Sequence, residues 1–258
     1  MPTLHANAAD IDYELVGDEG PLVVQLHGLT SSRERDVQLG LDLPRALRRH
    51  RVLRYDARGH GHSTGTPDPA DYGWDRLSLD LLALLDHVAP GEQVHGVGPS
   101  MGTGTLLHAA ARAPHRFRSL TLVVPPTAGK TRRAQAEGYR AGADMVERDG
   151  IGAWVALGSA APTPPALAEA PETLPEVSPE LLPTVLRGAA ATDLPHRKSI
   201  LRIDIPTLIL AWTGDRGHPI STAKKLNAQI RGSRLVVART PYGIMAWPGL
   251  FAEHVTTH

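Results

Sequence analysis

The sequence predicts an α/β fold, a mostly parallel, twisted β-sheet flanked by helices. Two observations support this. Short apolar runs alternate with segments of helical periodicity along most of the 258 residues, and hydrophobic residues make up 41% of the chain against 21% charged residues. That balance is typical of a globular chain with a sizeable core. Strands separated by helices favour parallel pairing, because a parallel pair needs a long crossover that is usually a helix.

The predicted strands are short apolar or alternating runs bounded by turn residues. In chain order they are residues 11–16, 21–26, 51–55, 93–97, 120–124, 207–212 and 234–238. The predicted helices are residues 77–88, 101–113 and 221–231. In the first helix, apolar residues recur at intervals of three and four, which places them on one face. The last helix begins at the capping residue Ser221 and ends before Gly232.

One long stretch, residues 127–202, contains no convincing strand. Its first half is polar and compatible with helix, and its middle is dense in proline. Two interpretations stay open: a loose insertion, or a small helical lid over a site at the strand ends. Long excursions in compact domains are usually functional, which favours the lid. The predicted division is therefore a core of residues 1–126 and 203–258 with a lid of residues 127–202.

Composition excludes several classes of protein and site. Lys and Arg total 27, as do Asp and Glu, so the basic surplus of a nucleic-acid-binding protein is missing. The chain has no cysteine, which excludes disulfides, thiolate metal sites and cysteine nucleophiles. No apolar run approaches the roughly 18 residues of a membrane span. No secretory signal is visible at the N-terminus, so we expect a cytoplasmic location and no membrane partner.

The strongest chemical signal is Gly98-Pro99-Ser100-Met101-Gly102, which matches G-x-S-x-G. A predicted strand comes directly before it and a predicted helix directly after it. In that setting the serine sits on a sharp turn, and the N–H groups at the start of the helix face developing negative charge. The alternative is an ordinary glycine-rich connection between a strand and a helix.

Three further segments join this motif in a recognisable order. Residues 26–29 read LHGL, residues 56–63 read DARGHGHS, and the strand within residues 206–219 is followed by Gly214-Asp215 and then Pro219. Together with the G-x-S-x-G motif, these segments resemble the α/β-hydrolase family. The resemblance spans nearly the whole chain outside residues 127–202, and it implies the α/β-hydrolase fold.

The resemblance also implies roles for individual residues. Ser100 is the expected nucleophile, the backbone N–H groups of Leu29 and Met101 the expected oxyanion hole, and Asp215 the expected triad acid. His27 is expected to hold the turn that carries Leu29. The implied activity is hydrolysis of a carboxylic ester, thioester or lactone, with a small-molecule carbonyl substrate and no cofactor or metal.

The chain departs from the family in the loop after the last strand, where a catalytic histidine is expected. Residues 238–248 contain none. Three explanations stay open. Another histidine supplies the base, and His218 is the best candidate because it follows Asp215 by three residues. Alternatively, Ser100 polarises a carbonyl in a lyase, dehydratase, cyclase or isomerase, with Tyr242 as proton donor. In the third, the pocket only binds a ligand. The oligomeric state stays open.

Two rival motifs are weaker. The run beginning at Gly96 starts like the dinucleotide fingerprint G-x-G-x-x-G but lacks its third glycine, which argues against a Rossmann oxidoreductase. His60 and His62 have metal-ligand spacing but no evident third ligand, so we expect them to be structural. In the same loop, Asp56 is expected to be an anchor with Arg58 as its partner.

Overall fold

An eight-stranded β-sheet forms the centre of the protein. The computed structural model describes residues 2–38, 42–171 and 174–258. The strands are β1 (Thr3–Ala6), β2 (Ala9–Val16), β3 (Leu22–Gln25), β4 (Arg51–Tyr55), β5 (Val94–Pro99), β6 (Phe117–Val123), β7 (Thr207–Trp212) and β8 (Arg234–Ala238). Their order across the sheet is β1-β2-β4-β3-β5-β6-β7-β8.

Most of the sheet is parallel. Strands β4, β3, β5, β6, β7 and β8 pair in parallel, and β1 and β2 form an antiparallel edge beside β4. This arrangement confirms the predicted fold class. Strand β1 was not predicted, because its residues alternate between exposed and half-buried and carry no apolar run.

Helices connect the strands and cover the sheet. They are α1 (Arg33–Gln38), α2 (Leu43–Ala46), α3 (Trp74–Val88), α4 (Met101–Arg112), α5 (Lys130–Asp149), α6 (Ile151–Ser159), α7 (Leu182–Ala191), α8 (Arg197–Ile200), α9 (Ile220–Gln229), α10 (Pro241–Met245) and α11 (Trp247–Thr257). Single 3-10 turns occur at Pro69–Tyr72, Pro114–Arg116 and Pro165–Leu167. Within the described residues, no helix has the length and apolar character needed to cross a membrane.

The core lies on both faces of the sheet. On one face, Val24 and Leu53 belong to a cluster with apolar residues of α3 and α4. On the other face, Val23 and Val52 pack in a cluster with Trp247 and other residues of α11. Neighbouring residues of one strand therefore enter opposite clusters, as the two-residue period of a strand requires. Burial on both faces explains why the central strands are continuous apolar runs.

The stretch between β6 and β7 is helical. It holds α5, α6, α7, α8 and the turn Pro165–Leu167, and no strand occurs in its described residues, 127–171 and 174–202. Residues 172–173 of the predicted lid lie outside the described residues. Helices α5 and α7 share a small apolar cluster with Tyr72 of the core. The guanidinium of Arg132 on α5 lies 4.2 Å from the ring centroid of Trp74 on α3, which ties the stretch to the core.

The expected pairing of Asp56 with Arg58 is wrong. The Asp56 carboxylate accepts the backbone N–H groups of Arg33 (2.9 Å) and His62 (3.0 Å), and the Arg33 guanidinium lies 3.5 Å away. Arg58 instead donates two 2.7 Å hydrogen bonds to the two oxygens of Asp80 on α3. The physical reason is that backbone donors already occupy Asp56, whereas Asp80 offers both oxygens to the planar guanidinium.

Candidate active site

Ser100 occupies a strained turn between β5 and α4. Its backbone has φ 51° and ψ −108°, in the left-handed region that residues with a side chain rarely adopt. The turn is held by the Ser100 N–H, which donates to the Val123 carbonyl on β6 at 2.9 Å. Strand and helix therefore meet at a fixed point, with the hydroxyl on the outside of the bend.

Two glycines make this turn possible. A Cβ at Gly98 would lie 2.6 Å from the backbone of Gly102, and a Cβ at Gly102 would lie 2.9 Å from the side chain of Leu26. Such distances leave no room for a side chain. The glycines of the G-x-S-x-G motif are thus required by the close approach of α4 to β5 and to the end of β3.

His218 and Asp215 reach Ser100 from the loop between β7 and α9. The Nε2 atom of His218 lies 2.8 Å from the Ser100 Oγ, and its Nδ1 donates to the Asp215 Oδ2 at 2.7 Å. The other Asp215 oxygen accepts the backbone N–H groups of Gly217 (2.7 Å) and His218 (3.2 Å). One short loop thus orients both the carboxylate and the imidazole.

Trp212, at the end of β7, braces the carboxylate. Its indole N–H donates to the Asp215 Oδ2 at 2.8 Å, the same oxygen that His218 contacts. Its ring meets the His218 imidazole edge-on and stacks on Trp247 at 5.8 Å between centroids. Burial alone would raise the pKa of Asp215. The opposing effects are larger: His218 contributes a hydrogen bond and its charge, and Trp212 and Gly217 each donate an N–H. The pKa of Asp215 therefore falls to about 2.

The turn after β3 lies against Ser100. A Cβ placed on Gly28 would sit 3.7 Å from the Ser100 Cβ, so the backbone before Leu29 passes directly beside the nucleophile candidate. His27 holds this turn, because its Nδ1 donates to the Gly28 carbonyl and its Nε2 accepts the Ala57 N–H, both at 2.8 Å. Burial lowers the pKa of His27 to about 4, which keeps the ring neutral.

A cavity of about 200 Å³, here called the Ser100 cavity, opens above these groups. Ser100, His218 and Leu29 line it, and most of its walls are apolar. The apolar lining residues are Leu29, Pro99, Val123, Val124, Leu167, Trp212, Ile244 and Trp247. From residues 238–248, where the family histidine is expected, Ile244 and Trp247 line the cavity. Tyr242 of that loop is 79% exposed and does not line the cavity, so the proton-donor role considered for it has no geometric support.

Two residues of the cavity wall had no motif to reveal them. Arg35 and Asp36, on α1, both line the Ser100 cavity. Asp36 is 2% exposed, and burial raises the pKa of its carboxyl to about 7. In the sequence they belong to the run RERD, which resembles an ordinary solvated helix face. Among the described residues, no cluster of three or more His, Asp or Glu side chains could hold a metal ion.

Comparisons with known proteins identify the family of the chain. Residues 21–157 match the model of the α/β hydrolase fold family. The chain is 33% identical over 178 residues to 3-oxoadipate enol-lactonase 2 of Acinetobacter baylyi, covering 66% of this chain and 62% of that protein. It is 31% identical to N-formylmaleamate deformylase of Pseudomonas putida, covering 50% of this chain and 46% of that protein.

A solved structure extends the likeness to the whole chain. A hydrolase from Pseudomonas aeruginosa PA01 has a TM-score of 0.81 and 28% identity, and the superposition covers 99% of this chain and 97% of that one. The family match covers more than half of the 258 residues. The chain therefore belongs to the α/β hydrolase family, and it spans less than two thirds of the length of the two curated relatives.

Proposed function

We propose that the protein is a cofactor-independent serine hydrolase that cleaves a carboxylic ester, thioester or lactone of a small molecule. The observation that carries the proposal is the continuous chain of hydrogen bonds from the Ser100 Oγ through His218 to Asp215, at 2.8 and 2.7 Å. A serine hydroxyl is a weak nucleophile without a neighbouring base, and here a base is within reach.

The proposed reaction follows from these contacts. The His218 Nδ1–H bond to Asp215 leaves Nε2 free to accept the Ser100 proton as Oγ attacks the substrate carbonyl. The carbonyl oxygen becomes an oxyanion, which the backbone N–H groups of Leu29 and Met101 stabilise. His218 then protonates the leaving oxygen or sulfur, and the acyl group stays on Ser100. Water, deprotonated by His218, releases the acid and restores the serine.

The base and the acid come from one loop in this proposal. His218 takes the place of the histidine that relatives of this fold are expected to carry after the last strand. The non-hydrolytic and ligand-binding alternatives depend on the absence of a base beside Ser100. The His218 imidazole, 2.8 Å from the Ser100 Oγ, favours the hydrolytic proposal over both. Two of the matched relatives are named as a lactonase and a deformylase, which supports hydrolysis at a carbonyl.

We further propose that residues 127–202 act as a lid. Leu167, in the turn after α6, lines the Ser100 cavity together with residues of the sheet. The stretch therefore contributes a wall to the cavity, so it shapes which acyl groups fit.

A fluorophosphonate probe tests the proposal directly, because it reacts only with an activated serine. We expect labelling of the intact protein, complete loss of labelling in Ser100→Ala, and a fall in ester turnover of about 1000-fold or more in His218→Ala. Ser31→Ala is the matched control, since Ser31 lines the same cavity. Labelling that survives Ser100→Ala, or folded wild-type protein that takes up no label, contradicts the proposal.

A further inference from the structure

A second cavity, of about 410 Å³, lies under helix α6 and is here called the α6 cavity. Trp154 and Val155 of α6 form part of its lining. Arg35 and Leu167 line both this cavity and the Ser100 cavity. The two cavities are therefore adjacent, and Arg35 and Leu167 lie in the wall between them.

The guanidinium of Arg35 is fixed by one of its nitrogens and unused at the others. Nη1 donates to the carbonyls of Thr30 (2.9 Å) and Leu174 (3.0 Å), and these are the hydrogen bonds of the Arg35 side chain within the described residues. Nε is buried and has no hydrogen-bond partner there. Because Nε is enclosed by protein, Nη2 is the nitrogen left to donate a charge-assisted hydrogen bond to a carboxylate oxygen.

Arg35 is the single charged side chain among the described residues that line the α6 cavity. The acidic groups whose charge acts on Arg35 are Glu176 and Asp36. Glu176 is exposed, and Asp36 makes its hydrogen bonds with Ser31 and Gln25. Burial also raises the pKa of Asp36 to about 7, so at physiological pH the carboxyl is ionised in only part of the molecules. Its negative charge therefore neutralises the positive charge of the Arg35 guanidinium only in part.

We propose that Arg35 binds a carboxylate of the substrate, so that the enzyme prefers esters and lactones that carry an acid group remote from the scissile carbonyl. The inference rests on the proposed hydrolase function and adds a substrate class to it. The reacting carbonyl would occupy the Ser100 cavity, the carboxylate would lie at Arg35, and neutral parts of the substrate would contact the apolar walls. A charge-assisted hydrogen bond of this kind gives both affinity and orientation.

The test compares two esters that differ at one end. These are 4-nitrophenyl heptanoate and the mono-4-nitrophenyl ester of heptanedioic acid, in which a carboxylate replaces the terminal methyl group. We expect the wild-type protein to favour the acid-bearing ester. In Arg35→Met, kcat/KM for that ester should fall about 10- to 100-fold more than kcat/KM for heptanoate, mainly through KM.

Matched variants separate this contact from a change in net charge or packing. Arg133→Met removes one charge from an exposed position on α5 and should leave the preference unchanged. Glu176→Gln removes a nearby negative charge and should preserve or increase the preference. Arg35→Lys keeps the positive charge but lacks the planar guanidinium, and it should retain part of the preference for the acid-bearing ester. The inference is overturned if Arg35→Met lowers kcat/KM equally for both esters. It is also overturned if Arg133→Met reduces the preference for the acid-bearing ester as much as Arg35→Met does.

A measurement on the wild-type protein covers the case in which Arg35→Met does not fold. Heptanedioate should inhibit heptanoate ester hydrolysis competitively, and added salt should weaken that inhibition. Hydrolysis of the heptanoate ester without such inhibition overturns the Arg35 inference and leaves the hydrolase proposal standing. If the folded protein hydrolyses neither ester and Ser100 takes up no fluorophosphonate, both proposals fail.

Discussion

Trp212 is the residue that links the site to the core. Its indole N–H shares the Asp215 Oδ2 with His218, and its ring lies between His218 and Trp247. The contact is made to the carboxylate and leaves Ser100 untouched, so Trp212 acts as a positioning residue in the proposed reaction. Because it withdraws negative charge from the oxygen that faces the imidazole, it also sets how strongly Asp215 holds the proton on His218.

Trp212→Phe should therefore change the pH dependence as well as the rate. One donor to Asp215 is lost, so the pKa of Asp215 rises from about 2 but stays well below neutral. The freed carboxylate oxygen stabilises the protonated imidazole more strongly, which moves the acidic limb of the kcat/KM profile to higher pH. We expect kcat to fall about 3- to 10-fold, since one hydrogen bond is removed.

The control for this variant is Trp247→Phe. Trp247 supplies the other half of the stack, and its buried indole N–H has no hydrogen-bond partner among the described residues. Its replacement should leave the acidic limb unmoved. If the two variants shift the limb equally, the effect comes from packing, and the charge argument for Trp212 is wrong.

At the scale of single residues, the sequence predicts what a motif marks. Ser100 follows from G-x-S-x-G, and His218 follows from its position three residues after Asp215. Their catalytic roles stay predictions until labelling and turnover are measured. Arg35 and Asp36 could not be found in this way, because only the fold turns the α1 face toward a cavity. The Asp56–Arg58 pairing failed because closeness in sequence does not determine which carboxylate faces which guanidinium.

At the scale of elements, the proposed acid and the proposed base both lie between β7 and α9, and this changes the role proposed for the segment after β8. Helix α10 carries no imidazole, and it contributes Ile244 to the Ser100 cavity. The next residue, Met245, is 72% exposed. In the proposed enzyme, α10 therefore acts on substrate fit and takes no part in proton transfer.

Ile244→Ala tests whether α10 affects substrate fit without affecting proton transfer. Removing most of the side chain enlarges the cavity. We therefore expect the ratio of kcat/KM for bulkier acyl esters to kcat/KM for acetyl esters to rise about 10-fold. This lies within the range that one or two methylene groups contribute in an apolar pocket. Fluorophosphonate labelling of Ser100 should persist. Met245→Ala, one position along and exposed, should leave the acyl-chain preference as it is. A loss of labelling in Ile244→Ala would contradict the assigned role of α10.

The elements themselves were predictable to different degrees. Strands such as β3 and β7 are buried on both faces, and their unbroken apolar runs identify them. Strand β1 escaped prediction because it is a short edge strand with no buried residue. The helix after Pro219 begins at Ile220, one residue before the predicted cap Ser221, and it has no side-chain cap. Caps are a weak guide where a proline already fixes the entry of the chain.

At the scale of the whole molecule, buried histidines govern stability in acid. The pKa of His27 falls to about 4, that of His60 to about 3 and that of His95 to about 4, in each case chiefly because burial disfavours the charged ring. A histidine with a folded-state pKa below its ordinary value of 6.5 binds its proton more readily in the unfolded chain. Stability is therefore full above about pH 6.5 and is lost as the pH falls toward the folded-state values.

Asp36 opposes this trend. Burial raises the pKa of its carboxyl to about 7, so the folded state binds this proton more readily and gains stability as the pH falls from 7 toward 4. One such carboxyl offsets about one histidine. Burial also lowers the pKa of His50 and His254, so several histidines stay uncompensated. We expect the free energy of unfolding to drop by several kcal/mol between pH 6.5 and 4, on the order of 3 kcal/mol for each uncompensated histidine whose pKa lies near 4.

Urea unfolding of the full chain at pH 7.5, 6, 5 and 4.5 measures this drop. In His95→Gln the curve of unfolding free energy against pH should flatten, because the variant removes one ring whose charged form is excluded from the core. The Nδ1 atom of His95 lies 2.8 Å from the Ser119 Oγ, and its Nε2 has no partner among the described residues, so an amide retains the single contact. His115→Gln, at an exposed position, should keep the wild-type slope. A wild-type free energy that stays constant from pH 6.5 to 4.5 would mean that the buried rings do not control stability in acid.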